Sequence, residues 1–451
     1  MIDIDTLIDD RPGEGVFRLR RKIFRDPDIF EAELAHIFEG TWVFIGLESQ
    51  AARPHDYFTA HVGRQPVLVT RDGDGVLRCF YNTCRHRGTQ VCPYQGGNAK
   101  FHVCRYHGWA YDSGGRNVAI TDERDGQYPE TFRNEDHNLL PVPRFASYRG
   151  LLFASLSSDV PSLDEHLGDV RVFLDIVLDQ EPRGFEFVPG PVVYTYDGNW
   201  KLQFENGLDS YHFMSTHAGY VDVLQQRAQV KPEDFAIDPA DAETSRDAQG
   251  SFSFARGHSV MYSARRQARG RRPFAIDRDT VRKVAETVGE GRFRWMMRQR
   301  NLTIFPNLQI IDITSLQLRT WRPLAPDRTE MVSHCLAPIG ESAEARRFRI
   351  RQYEDFFNPS GLASSDDNVM YEFCQAGYAA AGDGWTQGYA RGLGGGGGPP
   401  AADLLAPLGV TPAGAAYGSL NFGDETCFHA GYREWRRLLE HGIASNARGA
   451  R

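Results

Sequence analysis

Four residues in two short pairs carry the strongest chemical signal in this sequence. The pairs are Cys84 with His86 and, after a gap of seventeen residues, Cys104 with His107. Two thiolates on one iron and two imidazoles on the other are the ligand set of a Rieske-type [2Fe–2S] cluster. Because neutral imidazoles leave such a cluster less electron-rich than four thiolates would, its reduction potential rises. The two pairs therefore predict a moderate one-electron carrier.

Three alternatives compete with a cluster at these pairs. A structural zinc site usually opens with two closely spaced cysteines and ends with two closely spaced histidines, and neither pattern is present here. A disulfide-linked secreted module would pair its cysteines and carry a signal sequence. The third alternative is chance proximity of four common ligands. Two tight pairs, each in a glycine-flanked turn, rarely coincide by accident, so the cluster is favoured.

A second group of ligand types lies further along the chain. His212 and His217 are about 140° apart on an ideal helix, so both can bind one ion only if the helix ends or bulges between them. Two histidines and a carboxylate form the facial triad of non-haem Fe(II) oxygenases. The acidic pair Asp366-Asp367 is the best candidate for the carboxylate. Alone, the two histidines could simply be hydrogen-bonded polar residues, but a one-electron carrier in the same chain would supply such an iron with electrons.

Length, charge and cysteine content limit the class of protein. The chain has 451 residues, seven cysteines and a net charge of −8, which is enough length for two or three domains. An odd number of cysteines, two of them assigned to a cluster, indicates a reducing compartment. The acidic N-terminal stretch does not resemble a signal peptide, and no apolar run approaches the roughly 18 residues of a membrane span. We therefore expect a cytoplasmic protein that binds neither nucleic acid nor membrane.

Short strand-like runs surround the two ligand pairs. They begin after Gly40, and the turn Asp72-Gly73-Asp74-Gly75 joins two of them as a hairpin. The last run of this region is 150–156. We therefore predict a small β domain at residues 40–156 and a second domain made of residues 1–39 and 157–451. The other strands predicted in the small domain are 42–46, 57–62, 66–70 and 77–81.

The second domain combines helical and strand-like patterns. Asp26-Pro27 predicts a helix start, and Ser162 with Glu165 forms a capping box for a helix that runs to about residue 178. The glycine-rich run 394–398 predicts a loop, which cannot be a phosphate-binding loop because no Gly-Lys-Ser/Thr follows it. The late strands, which predict an antiparallel meander, are 302–305, 308–313, 315–320 and 330–336. Two further helices are predicted at 344–357 and 430–441.

Together these motifs resemble a known family, the Rieske non-haem iron ring-hydroxylating oxygenases, and specifically their large (α) subunits. The chain is most similar to the benzoate, toluate, halobenzoate and anthranilate dioxygenases of that family. The resemblance covers nearly the whole chain, and departures are concentrated after about residue 380. The matching motifs are Cys84-x-His86, Cys104-x2-His107-Gly108-Trp109, Asn199-Trp200-Lys201, Glu205-Asn206-Gly207, Asp209-x-Tyr211-His212-x4-His217 and Asp366-Asp367.

The resemblance implies the fold class and the ligands of both metal centres. The fold is α+β, with a small all-β Rieske domain and a larger catalytic domain built on a helix-grip-like antiparallel sheet. The thiolates of Cys84 and Cys104 bind one cluster iron, and the imidazoles of His86 and His107 bind the other. The mononuclear iron is bound by His212, His217 and Asp367, with Asp366 as the alternative to Asp367.

Two further residues receive roles from the resemblance. Asp209 resembles a bridging acid that hydrogen-bonds His212 and also His107 of the partner subunit. A buried carboxylate between two imidazole N–H groups fixes both tautomers and gives electrons a short path. Asn206, one helical turn before Asp209, is expected to face the open side of the iron. A hydrogen bond at a helix start is the alternative role of Asn206.

The implied reaction is reductive dioxygenation of an aromatic ring. Electrons from NADH arrive through a reductase, with or without a ferredoxin, and both atoms of dioxygen enter adjacent ring carbons to give a cis-dihydrodiol or a catechol. The subgroup favours a benzoate-like aromatic carboxylate, although no sequence feature identifies an arginine that would hold it. The expected assembly is a trimer, either α3β3 with a small β subunit or α3 alone.

Two other functions remain open at this point. The nearer one keeps both metal sites but makes the enzyme a monooxygenase or demethylase. A glutamate in place of the bridging aspartate marks one such branch, and Asp209 argues against that branch. The more distant alternative is an electron-transfer or zinc-binding protein without a catalytic iron.

Overall fold

The chain is divided into two compact units in its computed structural model, which describes residues 2–126, 128–230, 249–263, 278–313, 315–380, 384–395, 405–410, 417–419 and 423–449. The small unit is Phe38–Leu163, and the large unit combines Met1–Ile37 with Asp164–Arg451. The limits 40 and 156 that the sequence predicts lie inside the small unit. They stay a prediction for the extent of the cluster-binding domain.

The elements of the described residues are numbered here in chain order. The helices are α1 (Pro27–Glu33), α2 (Glu130–Arg133), α3 (Leu163–Leu167), α4 (Arg171–Leu178), α5 (Trp200–Asn206), α6 (Phe213–Thr216), α7 (Ala218–Val230), α8 (Arg278–Val288), α9 (Glu290–Met297), α10 (Ala343–Phe356), α11 (Ser364–Ala380) and α12 (His429–Gly449).

The strands are β1 (Ile8–Arg11), β2 (Val16–Arg20), β3 (Val43–Leu47), β4 (Asp56–Val62), β5 (Gln65–Arg71), β6 (Leu77–Tyr81), β7 (Gly96–Asn98), β8 (Phe101–Val103), β9 (Ala110–Asp112), β10 (Asn117–Ala119), β11 (Arg144–Tyr148), β12 (Leu151–Ser155), β13 (Phe185–Phe187), β14 (Val192–Tyr196), β15 (Gln249–Ser253), β16 (Ser259–Ser263), β17 (Gln299–Ile304), β18 (Leu308–Asp312), β19 (Leu316–Ala325), β20 (Arg328–Pro338), β21 (Trp385–Thr386) and β22 (Tyr417–Ser419).

Antiparallel sheets form the small unit, as its strand-like patterns predict. The strand orders are β6-β5-β4-β7, β10-β9-β8 and β11-β12-β3. The predicted hairpin joins β5 and β6, and Asp72 closes its turn by accepting backbone hydrogen bonds from Asp74 at 3.0 Å and Val76 at 2.9 Å. An aspartate at the start of a turn commonly makes such bonds to its own backbone. Both predicted cluster cysteines, Cys84 and Cys104, are buried in the core of this unit.

A nine-stranded antiparallel sheet is the centre of the large unit. Its strand order is β13-β20-β19-β18-β17-β16-β15-β22, with β14 also paired to β20. The strands β17 to β20 are neighbours in chain order, so the meander predicted from the sequence is confirmed. Helix α10 lies against β19 and β20, and α11 lies against α5, α6 and β14. These contacts bring the residues of α5, α6, α11 and β19 into one region.

The helix predicted from Ser162 to about residue 178 is wrong as a single element. It is divided into α3, a 3-10 turn at Gly168–Val170, and α4. Gly168 has a φ of +51°, a left-handed conformation that does not continue an α-helix. The predicted glycine-rich loop 394–398 lies mostly outside the described residues, which end there with a 3-10 turn at Leu393–Gly395.

One buried carboxylate joins three helices of the large unit. Glu33, at the end of α1, accepts hydrogen bonds from the indole N–H groups of Trp200 at 2.8 Å and Trp435 at 2.7 Å. It also pairs with the ammonium group of Lys201, which is buried like Glu33 itself. Burial lowers the pKa of Lys201, and the Glu33 charge opposes this shift. Glu33 therefore ties α1 to the start of α5 and to α12.

Replacing this carboxylate tests its contribution to stability. Glu33→Ala leaves a buried ammonium group and two indole N–H groups without an acceptor, so we expect the free energy of unfolding to fall by about 3–5 kcal/mol. Urea denaturation measures the change. Glu31→Ala, on the exposed side of the same helix, is the control and should change stability by less than about 0.5 kcal/mol. Equal stability of Glu33→Ala and wild type would contradict the proposed role.

Candidate metal centres

The two Cys/His loops of the small unit have the same backbone geometry. In each loop a glycine N–H donates to a cysteine carbonyl at 2.9 Å, from Gly88 to Cys84 and from Gly108 to Cys104. The glycines have φ values of +77° and +76°, a region that side chains disfavour. A Cβ on Gly108 would also meet the hydroxyl oxygen of Thr121 at 2.4 Å. The glycines that follow the ligand pairs therefore shape both loops.

The side chains of these loops suit a cluster with mixed ligands. The Nδ1 atoms of His86 and His107 lie 3.0 Å apart, close to the roughly 3.4 Å between two nitrogens on one tetrahedral metal at about 2.1 Å. Cys84 and Cys104 are buried, and burial, reinforced by the neighbouring Cys84 thiol, raises the pKa of Cys104. Trp109 stacks on His86 with ring centroids 5.1 Å apart. The two imidazoles are thus close together, and the two thiols are neighbours, which is the pairing of ligands in a Rieske-type cluster.

The short helix α6, which begins after His212 and ends before His217, brings the two histidines to one point. Helix α5 ends at Asn206, and His212 and His217 flank the four-residue helix α6 as its N-cap and C-cap. The Nε2 atoms of the two histidines are 3.2 Å apart. A continuous helix would direct them about 140° apart. The chain thus has the interruption that the sequence spacing requires for a shared ion.

Asp367, in the first turn of α11, completes this group. Its Oδ1 atom lies 3.3 Å from Nε2 of His212 and 3.2 Å from Nε2 of His217. Ligand atoms at right angles on a metal, each about 2.1 Å away, are roughly 3.0 Å apart. Oδ1 is buried without a hydrogen-bond partner among the described residues. The three atoms form a group that could hold a metal ion, and their types suit non-haem iron.

Asp366 occupies a different position from Asp367. Its carboxylate lies 3.6 Å from Nδ1 of His217, on the other side of the ring, and its side chain is 42% exposed. Although burial favours the protonated form of Asp367, the imidazoles of His212 and His217 hold its pKa well below the usual value. Of the two acids, only Asp367 contacts the Nε2 atoms of both histidines. We infer that Asp367, rather than Asp366, is the ligand.

Asp209 lies behind the metal-facing side of His212. Its Oδ2 atom is 3.1 Å from Nδ1 of His212, and its Oδ1 atom accepts a hydrogen bond from the backbone N–H of Tyr211 at 2.7 Å. Asp209 and His212 both lie in the turns between α5 and α6. Burial alone would lower the pKa of His212, but Asp209 and Asp367 raise it to about 10. The turn thus brings the Asp209 carboxylate against the ring of His212.

Asn206 and Arg319 extend the polar surroundings of the iron site. The amide nitrogen of Asn206 lies 3.5 Å from Nε2 of His212, and its amide oxygen lies 3.4 Å from a guanidinium nitrogen of Arg319. A helix-start role for Asn206 is wrong, because Asn206 is the last residue of α5. The sequence analysis missed Arg319. Strand β19 holds two arginines, Arg319 and Arg322, and its sequence carries no signal that separates them.

Comparison with known proteins gives the family of the chain. Residues 187–441 match the family described as the ring hydroxylating alpha subunit (catalytic domain), and residues 41–133 match the Rieske [2Fe-2S] domain. The chain is 42% identical to the toluate 1,2-dioxygenase subunit alpha of Pseudomonas putida, over 84% of this chain and 83% of that protein. It is 38% identical to the anthranilate 1,2-dioxygenase large subunit of Acinetobacter baylyi, over 98% and 94% of the two chains.

A solved structure agrees with this family. The chain matches naphthalene 1,2-dioxygenase from Rhodococcus sp. bound to indole with a TM-score of 0.77, at 27% identity over 94% of each chain. The chain therefore belongs to the ring-hydroxylating α-subunit family, and the predicted family and α+β fold are confirmed. It is a Rieske-type aromatic-ring-hydroxylating dioxygenase, with a [2Fe–2S] cluster and a non-haem iron as cofactors. Electrons from NADH enter through a reductase. No helix among the described residues is long and apolar enough to cross a membrane.

The two acids of the pair can be separated by metal analysis. Among the described residues, Asp367 is the one carboxylate near both Nε2 atoms, so for Asp367→Ala we expect loss of the mononuclear iron with the cluster spectrum retained. Asp366→Ala is the matched control and should keep both centres. Iron content, together with visible absorption after anaerobic preparation, measures both. Loss of the mononuclear iron in Asp366→Ala, but not in Asp367→Ala, would reverse the assignment.

Proposed function

We propose that this α subunit dihydroxylates a benzoate-like aromatic carboxylate at adjacent ring carbons, giving a cis-dihydrodiol or a catechol. Two relatives carry names that denote aromatic carboxylates, toluate and anthranilate. The match to the anthranilate enzyme carries the proposal, because it covers 98% of this chain and so includes both candidate metal centres. The naphthalene enzyme, which is named for an uncharged arene, is less similar at 27% identity.

The proposed ligands follow from the two donor groups. The cluster would be held by Cys84, His86, Cys104 and His107, within the predicted domain 40–156, and the mononuclear iron by His212, His217 and Asp367. When bound, the two centres supply stored electrons and activation of dioxygen. Oδ2 of Asp209, 3.1 Å from Nδ1 of His212, would hold a proton on that nitrogen, which would leave Nε2 to face the metal. Asn206 lines the side of the site that faces Arg319.

We further propose that Asp209 bridges two subunits. Its side chain is 23% exposed, so one carboxylate can contact His212 and still reach a group outside its own subunit. The proposed group is His107 of the partner subunit, whose ring N–H would donate a hydrogen bond to the Asp209 carboxylate. Large apolar side chains are exposed beside both groups, with Tyr211 and Met214 near Asp209 and Tyr106 next to His107. Exposed apolar side chains of this size are common at protein contacts.

The assembly and its electron supply complete the proposal. A bridge between subunits favours a trimer, either α3β3 with a small β subunit or α3. The relatives are named as an α subunit and a large subunit, which supports a smaller second component. The reductase acts with or without a ferredoxin. All seven cysteines are free, which fits a reducing compartment, and we propose the cytoplasm.

Coupled turnover with labelled dioxygen tests the proposed reaction. The assay combines the enzyme with a suitable reductase and NADH, and it compares benzoate, anthranilate, halobenzoates, salicylate and uncharged arenes. We expect tight coupling of oxygen uptake with one carboxylate and two labelled atoms in the product. A single labelled atom would indicate a monooxygenase or demethylase instead. Coupled uptake only with uncharged arenes would contradict the proposed substrate class.

The bridge can be tested by removing its charge while keeping its shape. Asp209→Asn should keep both metals but lower turnover by about 100-fold. The amide oxygen can still accept a hydrogen bond from Nδ1 of His212, but it lacks the negative charge of the carboxylate. Single-turnover reduction of the mononuclear site by a pre-reduced cluster measures the electron step directly. Asp222→Asn, on the neighbouring helix α7, is a control that should leave the rate unchanged. A normal rate in Asp209→Asn would refute the bridge.

A further inference from the structure

Arg319 is a buried cation near the candidate iron site, and no acid of the described part of the chain pairs with it. It lies in β19 and is 6% exposed. Its Nε atom donates to the side-chain oxygen of Gln317 at 2.8 Å, and one terminal nitrogen lies 3.4 Å from the amide oxygen of Asn206. Among the described residues, no carboxylate forms an ion pair with it. Its two polar neighbours are neutral amides.

Other buried arginines of the large unit differ from Arg319. Arg300 pairs with Asp312, and Arg349 pairs with Glu341 at 2.8 Å. A buried charge is costly unless an opposite charge and hydrogen bonds compensate it. The fold supplies an acid to Arg300 and to Arg349, whereas no acid among the described residues pairs with Arg319. This arrangement leaves most of the guanidinium donors for a group that is not part of the chain.

The position of Arg319 connects it to the iron site. A single amide group, that of Asn206, separates its guanidinium from Nε2 of the candidate ligand His212. The ring of Phe357 lies 5.8 Å from the guanidinium carbon. A cation next to an aromatic wall, one amide away from the metal ligands, matches the two parts of an aromatic carboxylate. The ring would lie towards the metal, and the carboxylate would lie towards β19.

A second buried donor lies in the same region. The Tyr371 hydroxyl is buried and has no hydrogen-bond partner among the described residues. Burial raises the pKa of Tyr371 well above its usual value, with Asp367 adding to the shift and Arg319 opposing it. The phenol therefore stays a neutral donor. A buried donor without an acceptor, close enough to feel the charges of Asp367 and Arg319, is consistent with an anionic ligand at this site.

We propose that Arg319 binds the carboxylate of the aromatic substrate and so determines the preference for aromatic acids over uncharged arenes. The inference rests on the proposed function, because it requires a carboxylate substrate. The planar guanidinium can donate two parallel hydrogen bonds to one carboxylate. The resulting pair would neutralise the buried charge of Arg319 and orient the ring towards the metal.

Substrate binding to the holoenzyme tests the proposal without turnover. Dissociation constants are measured anaerobically by calorimetry for benzoate, 3-methylbenzoate and 2-aminobenzoate and for the matching carboxamides. Wild type should prefer the acid of at least one pair. Arg319→Gln should reduce that preference for the acid over the carboxamide by about 100-fold. The variant loses the buried charge pair with the carboxylate substrate but loses no charge pair with the carboxamide. The cluster spectrum and iron content should be unchanged.

Two further variants separate a charge effect from a folding effect. Gln317→Glu keeps Arg319 and the shape of its neighbour but supplies an internal carboxylate, so it should reduce the preference for the acid as well. If Arg319→Gln does not fold, Gln317→Glu alone tests whether Arg319 binds the substrate carboxylate. Arg322→Gln is the control in the same strand, because Arg322 already pairs with Glu330 at 3.0 Å. This control should keep the wild-type preference.

The outcomes distinguish the two levels of the proposal. If wild type prefers an acid and both Arg319→Gln and Gln317→Glu keep that preference, the role of Arg319 is refuted and the proposed substrate class stands. If wild type prefers no acid over its amide, the proposed substrate class fails, and the role of Arg319 fails with it. A selective loss in both variants, with Arg322→Gln unchanged, supports Arg319 as the carboxylate-binding residue.

Discussion

The iron site depends on how helix α5 is ended. The side-chain nitrogen of Gln309 donates to the carbonyls of Gln203 and Phe204 at 3.1 Å each, and so satisfies groups that a helix end leaves without partners. A Cβ on Gly207 would meet this nitrogen at 2.2 Å, so only glycine permits the approach. Once the helix has ended, the chain can turn His212 back towards His217. The central sheet, through Gln309 in β18, thereby sets the position of the candidate metal ligands.

The same end of α5 is held from the C-terminal part of the chain. Glu205 accepts hydrogen bonds from the hydroxyls of Tyr389, at 2.7 Å, and Tyr432. Burial raises the pKa of Glu205 to about 8, which favours the neutral form of this carboxyl at pH 7. Residues far along the sequence therefore fix the segment that leads into the ligand turn. The segment after residue 384 therefore affects the candidate iron site, although none of the three candidate ligands lies in that segment.

The sequence predicts this protein best where chemistry restricts residue type and spacing. Two Cys/His pairs, two histidines and a late acidic pair suffice to predict both centres, and alternating strands suffice to predict the meander. The break of the helix at Gly168 and the turn at Asp209 were not predictable, because each depends on a backbone conformation chosen by tertiary packing. A role for Arg319 was not predicted from the sequence, for a related reason. An arginine in a strand has no spacing signature. Whether an acid pairs with it becomes known only from its neighbours in the folded structure.

The two centres differ in burial in the way that their separate tasks require. Of the two proposed cluster histidines in the small unit, His86 is exposed and His107 is half-buried. His217 is 2% exposed, and Asp367 beside it is buried. A site that combines dioxygen with an aromatic ring must exclude water from its reactive groups. Burial makes an unpaired charge costly, and this cost gives Arg319 its selectivity. A carboxylate gains from neutralising it, whereas an uncharged arene leaves the guanidinium without a partner.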